Sequence, residues 1–177
     1  LRQPRTFNEK ITYRKLYTDN ELYSIVSDKY RVRDYVERKV GQKYLNELLY
    51  ETTDPETIPF RELPNEFVIK STHGSGWNEI ITRNKERDPD QIIKKCEEWL
   101  SSIYGTEKDE YWYSDIEPRI IIEEYLHSEY HSHPIDYKFF VFNGNAKFIQ
   151  ADINRFGDHT RTIYNRNWEK LDVKLEY

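Results

Sequence analysis

The chain has 177 residues and a net charge of −5, with 37% apolar, 33% charged and 15% aromatic residues. That length favours one domain, or one and part of another, and the fifteen Tyr, eight Phe and four Trp argue for a packed core and against disorder. The acidic balance gives no general field for nucleic acid, no run approaches the ~20 apolar residues of a membrane helix, and the lone Cys96 permits neither an intrachain disulfide nor a paired-cysteine zinc site.

A reducing compartment and a cytoplasmic location suit that cysteine count. The N-terminus is locally basic, with Arg2, Arg5, Lys10, Arg14 and Lys15. The chain begins without Met, ends in a charged, aromatic stretch at Tyr177, and reads as a fragment. Residues 8–26 show no clean period and support only a weak helical reading. Ser27 or Asp28 caps a predicted helix over residues 29–39, where Tyr30, Val32, Tyr35 and Val36 recur at near-helical spacing and Gly41 stops the run. Residues 45–50 form a short apolar segment, and 52–59 a polar loop with two prolines.

Phe67-Val68-Ile69-Lys70 is β-branched and aromatic, so it predicts a strand. It runs into the small-residue segment 71–76, and residues 77–82 return as the second strand of a hairpin. Asp88-Pro89-Asp90 starts a helix in which Ile92, Ile93, Cys96, Trp99, Leu100 and Ile103 keep 3.6-residue spacing up to Gly105. After an acidic, aromatic loop, residues 119–126 predict a strand buried on both faces. Residues 136–142 and 146–153 flank Asn143-Gly144-Asn145 as a hairpin, and 161–164 add a further strand.

Three constellations could carry chemistry. The strand ending in Lys70 opens into Ser71-Thr72-His73-Gly74-Ser75-Gly76, whose backbone N–H groups could approach phosphate while the lysine supplies a point charge. It lacks the Walker order, and it reads equally as an ordinary hairpin turn with a solvent-facing lysine. Glu123 and Glu124 end the buried strand, either as solvated acids or as a hinge toward a nucleotide base and ribose. Asp136 and Lys138 share a strand face, as a surface ion pair or as part of a cleft; Asp152 and Arg155 follow the next hairpin. His127, His131 and His133 lie in a loop at a spacing poorly suited to zinc, and no GxSxG elbow supports a Ser/His/Asp triad.

Six segments recur in order: residues 6–11 (TFNEKI), 28–33 (DKYRVR), 63–70 (LPNEFVIK), 73–76 (HGSG), Glu123-Glu124 and Asp136-Tyr137-Lys138. Together they make the chain resemble the TupA-like ATP-grasp family over nearly its whole length. That family is associated with bacterial cell-surface polysaccharide and teichuronopeptide biosynthesis, and its members are often labelled glycosyltransferases.

The resemblance implies an α+β, ATP-grasp-like fold of antiparallel sheets with flanking helices, truncated at the C-terminus. Residues 1–65 would be a helical N-terminal segment and the start of the ATP-grasp region, 66–117 a small nucleotide-lid subdomain, and 118–177 the start of an incomplete C-terminal subdomain. It implies ATP and Mg2+ as cofactors. Lys70 and Lys29 would hold phosphates, with His73, Gly74, Ser75 and Gly76 as the loop closing over them. Glu123, Glu124, Tyr125 and Leu126 would form the adenine and ribose hinge, and Lys138, Asp152 and Arg155 would face the γ-phosphate and acceptor. Valine at Gly74 or Gly76 would then impair turnover more than stability.

The implied reaction joins a carboxylate to an amine through an acyl phosphate, on a small-molecule or polysaccharide-precursor acceptor, with no nucleic-acid partner and no membrane insertion. A glycosyltransferase and a non-catalytic sugar-binding module are the alternatives; no DxD-like metal site for a sugar nucleotide is read in support of the former, Asp88-Pro89-Asp90 being taken as a helix start. The late-strand acidic and amide residues that hold magnesium in ATP-grasp enzymes have no convincing counterpart before Tyr177.

Overall fold

The computed structural model describes residues 3–83, 87–129, 133–154 and 157–173. It contains two compact units, residues 1–125 and 126–177. Both rest on antiparallel sheet, and among the described residues the first adds four α-helices, an α+β architecture.

The first unit opens with α1 (Phe7–Tyr17) and α2 (Glu21–Ser27), where the sequence shows only a weak helical pattern. Two local caps create the pair. The Thr6 hydroxyl accepts from the Glu9 N–H while the Glu9 carboxylate accepts from the Thr6 N–H, a reciprocal box at the start of α1. Asn20 accepts from the Leu22 N–H and restarts the chain as α2. The α3 helix (Arg31–Val40) begins where the Asp28 carboxylate takes the Tyr30 and Arg31 N–H groups, and ends at Gly41 with φ 98°.

Four strands form the first sheet: β1 (Leu48–Thr52), β2 (Phe67–Ser71), β3 (Asn78–Ile81) and β4 (Ile120–Glu124). Their order is β1-β4-β2-β3, every pair antiparallel. The β4 strand is therefore central, which is why Ile120, Ile121 and Ile122 are all fully buried. Strand alternation divides the sheet. Phe67, Ile69, Ile120 and Ile122 face α4 (Pro89–Leu100) and pack with its Ile92, Cys96 and Trp99, whereas Val68, Lys70, Ile121 and Glu123 lie on the opposite face. Burial pushes the Cys96 thiol up to about 12, so it behaves as a packing group.

The α4 helix ends at Leu100, short of the predicted stop at Gly105. Ile103 lies beyond it and is exposed rather than on the packed face. Short 3-10 turns at Thr106–Lys108 and Tyr111–Asp115 follow.

The second unit is a meander of β5 (Asp136–Phe142), β6 (Asn145–Ile153) and β7 (Thr160–Asn165), in that order across the sheet. Asn143 and Gly144, with φ 49° and 75°, supply the two left-handed residues of a tight hairpin turn. Among the described residues no helix is long and apolar enough to cross a membrane.

For Gly74 the structure reverses the expectation that substitution spares stability: a Cβ there would run into the Trp77 ring. Gly76 has φ 82° but open space around it. Gly74→Ala should therefore destabilise by about 1–3 kcal/mol as an overpacked site, read as a lowered melting temperature. Gly76→Ala should cost about 1 kcal/mol, and an equal or smaller loss at Gly74 would show that the Trp77 ring moves aside freely.

Candidate functional site

The polar face of the first sheet gathers charge at the end of β2. Glu123, only 5% exposed, directs one carboxylate oxygen to Lys70 Nζ and the other to Arg33 Nη1 at 3.0 Å. Arg33 reaches it from α3 and also donates to the Asn46 side chain at 3.0 Å. A carboxylate at this depth needs such matched cations, because an unpaired buried charge costs several kcal/mol.

Lys29 stands beside this group. Its Nζ donates to the carbonyl of Ser71 at 2.8 Å and to that of Gly74. Burial, with the Lys70 ammonium alongside, pushes the Lys29 amine down to about 8. The loop that Lys29 grips is stitched on its other side: Thr72 N–H donates to the Arg119 carbonyl at 2.9 Å, and Arg119 N–H to the Thr72 hydroxyl at 3.1 Å.

The loop divides in two. Thr72, His73 and Gly74 are buried, whereas Ser75 and Gly76 form an exposed tip. The His73 ring turns inward, with Nδ1 at 2.8 Å from the Ser71 hydroxyl and Nε2 at 3.1 Å from the Trp99 carbonyl, so it ties the loop to the end of α4. Burial holds its pKa below the ordinary imidazole value. Glu124 lies on the face opposite Glu123, and its carboxylate accepts from the Glu47 N–H at 2.7 Å. Tyr125 is half-buried and Leu126 exposed, and the division between the units falls between them.

The second unit has a charged group of its own. Asp152, 2% exposed, accepts from Lys138 Nζ and Gln150 Nε2 at 2.7 Å each on one oxygen. On the other it meets Arg161 Nε at 2.6 Å and His159 Nε2 at 2.9 Å. Burial opposes the charge, but the hydrogen bonds from Lys138, Arg161, Gln150 and His159 outweigh it and hold the carboxyl well below the usual carboxylate range. Lys138 also meets Asp136 at 2.7 Å. Arg155 lies outside the described residues, as does His131.

Lys29, Lys70 and Glu123 thus come together in the first unit, and Lys138 and Asp152 in the second. Arg33, His159 and Arg161 are members that sequence reasoning did not single out. Arg161 had a signal: it is the cross-strand partner of Asp152, an opposite-charge pair across β6 and β7.

Glu123→Gln should leave Arg33 and Lys70 facing each other without a counter-charge and cost about 3 kcal/mol in urea unfolding. Glu124→Gln should cost about 1 kcal/mol or less, and equal effects would refute this distinction. Because the folded-state pKa of Asp152 is depressed, its carboxylate stabilises fully above about pH 5 and loses that contribution as the pH falls through about 4 and lower. Asp152→Asn should accordingly be less stable at neutral pH and show a flatter acid limb, and an unchanged limb would remove Asp152 from the acid response.

The sequence model described as TupA-like ATPgrasp matches residues 9–177. No curated protein and no solved structure matches the chain.

Proposed function

The chain belongs to the TupA-like ATP-grasp family, and from that premise we propose that it is an ATP-dependent carboxylate–amine ligase acting on a precursor of bacterial cell-surface polysaccharide. A ligase-type, nucleotide-binding fold is what the family supplies; the reaction and the acceptor are the proposal.

The observation that carries it is the juxtaposition of Lys29 and Lys70. Two amines share a half-buried corner at the end of β2, and one has its pKa drawn down to about 8 by burial and by the other. A polyanion between them would offset both the repulsion of the two amines and the cost of burying the Lys29 charge, which suits the phosphates of ATP. Among the described residues no set of three or more His, Cys, Asp or Glu side chains is arranged to hold a metal ion. Magnesium arriving with nucleotide needs only one or two carboxylates beside the phosphates and water.

When bound, ATP would supply a γ-phosphoryl group that turns a carboxylate into an acyl phosphate and leaves ADP, after which an amine would displace phosphate to give the amide. Lys70 would neutralise phosphate charge from a position fixed by Glu123, and Glu123 in turn by Arg33. Lys29 would do the same from the α2–α3 junction. The exposed tip at Ser75 and Gly76 would close over the phosphates and exclude water, while Thr72, His73 and Gly74 stay anchored as its base. Glu124, Tyr125 and Leu126 would offer the adenine and ribose edge. In the second unit, Lys138, aligned by Asp152, and Arg155 are proposed for the γ-phosphate and acceptor.

Calorimetric titration with ATP and magnesium tests the reading. Lys70→Ala should weaken binding at least about tenfold, or 1.4 kcal/mol, with the melting curve of a folded protein retained. ATP affinity that Lys70→Ala leaves unchanged would remove the central assignment. The titration of Lys29 gives a second test. Bound phosphate raises its pKa, so affinity should hold level below about 8 and decline as the pH rises beyond it. Affinity flat between about pH 7 and 9.5 would take Lys29 out of the phosphate site.

A further inference from the structure

A cleft of about 560 Å³ lies in the first unit between the α1–α2 connection and the 3-10 turn at Tyr111–Asp115. A second hollow of about 300 Å³ adjoins it through the shared residues Lys15, Tyr23 and Trp112. The volume is in the range of small-molecule sites.

Aromatic rings make much of the wall. Tyr23 and Trp112 stand 5.4 Å apart, tilted by 58° into a corner, and Tyr17 and Tyr111 line the same cleft while staying largely open to solvent. The corner is held by structure: Trp112 Nε1 donates to the Ser27 hydroxyl at 2.9 Å. On the side of the adjoining hollow, the Arg14 guanidinium donates to the Tyr23 hydroxyl from Nε at 3.0 Å and Nη2 at 2.7 Å and lies 5.4 Å from the ring centroid.

The charges lining the cleft have one prevailing sign. Asp19, Glu21 and Asp115 contribute three carboxylates, and among the described residues none of them is ion-paired. Among the described residues Lys15 is the one cation lining the larger cleft, Arg14 lining the adjoining hollow, and the Lys15 Nζ is taken by the Glu110 carboxylate at 3.1 Å and the Lys108 carbonyl at 3.0 Å. The carboxylates are not grouped as a metal site. Aromatic faces and spread, unneutralised carboxylates suit a cation that is bulky, weakly hydrated and partly apolar.

We propose that this cleft binds a small organic ammonium compound. Its cationic nitrogen sits against the Tyr23–Trp112 corner, and its charge is balanced by Asp19 and Asp115. The site is separate from the lysines proposed for phosphate and stands whether or not the chain binds ATP.

Calorimetry on the whole chain tests it with matched pairs that differ in charge: choline against 3,3-dimethylbutan-1-ol, and glucosamine against glucose. At least one charged member should bind about tenfold or more tightly than its uncharged counterpart, as an aromatic cation contact predicts. The double variant Asp19→Asn, Asp115→Asn should reduce that affinity about tenfold at unchanged melting temperature, since both side chains are exposed. Tyr17→Ala, also at an exposed position, should weaken binding too. Lys70→Ala should leave it unaltered, which separates this site from the nucleotide reading. No binding by either charged probe, equal binding of charged and uncharged partners, or affinity indifferent to the Asp19/Asp115 variant would each overturn the proposal.

Discussion

A carboxylate buried in the centre of a sheet has to be answered by cations, and the position of Glu123 imposes that demand on the whole first unit. One answer is Arg33, which ties α3 to β4; the other is Lys70, which ends β2. Both cations are partly withdrawn from water by the contact, so neither is a loose surface group. The Lys70 ammonium bears on Lys29, whose amine is held by the carbonyls of Ser71 and Gly74. One acid thereby fixes the reach of a lysine, the seat of a helix and the base of a loop. Strand alternation completes the division of labour: Phe67, Ile69, Ile120 and Ile122 face α4, and Lys70 and Glu123 share the opposite face with Val68 and Ile121.

The second unit solves a similar problem differently. Asp152 has about four acceptor sites to satisfy, and it meets them with a lysine from the adjacent strand β5, a glutamine from its own strand, an arginine from β7 and a histidine just before β7. The network crosses all three strands, so the same contacts that fix the side chains also fix their register. In both units a buried acid positions basic groups whose amines or guanidinium edges remain partly open to solvent.

What could be read in the sequence follows the range of the interaction. The β2–β3 hairpin, the buried triple isoleucine and the Asn143-Gly144 turn are local patterns, and each appears where it was expected. The two N-terminal helices were only faintly visible because α1 buries no residue and its apolar side chains are not gathered on one side. Its reciprocal cap at Thr6 and Glu9 was the available clue. The end of α4 was overextended because Ile103 continued the apolar spacing; the helix is capped at Ser101. The partner of Glu123 could not be inferred locally. Arg33 lies 90 residues earlier, and the pairing depends on β4 inserting between β1 and β2. Likewise, nothing in the small-residue loop indicated that His73 would be tied to the end of α4.

The solitary thiol of Cys96 has a use that its burial creates. At 1% exposure, with its proton held up to about pH 12, it presents almost no thiolate to reagents while α4 is seated on the sheet. A sulfhydryl reagent can react at an appreciable rate only during moments when that helix lifts. The chain therefore carries one chemical clock, and where reclosing outruns the reagent its labelling rate reports the opening free energy of the α4 layer without any engineered cysteine.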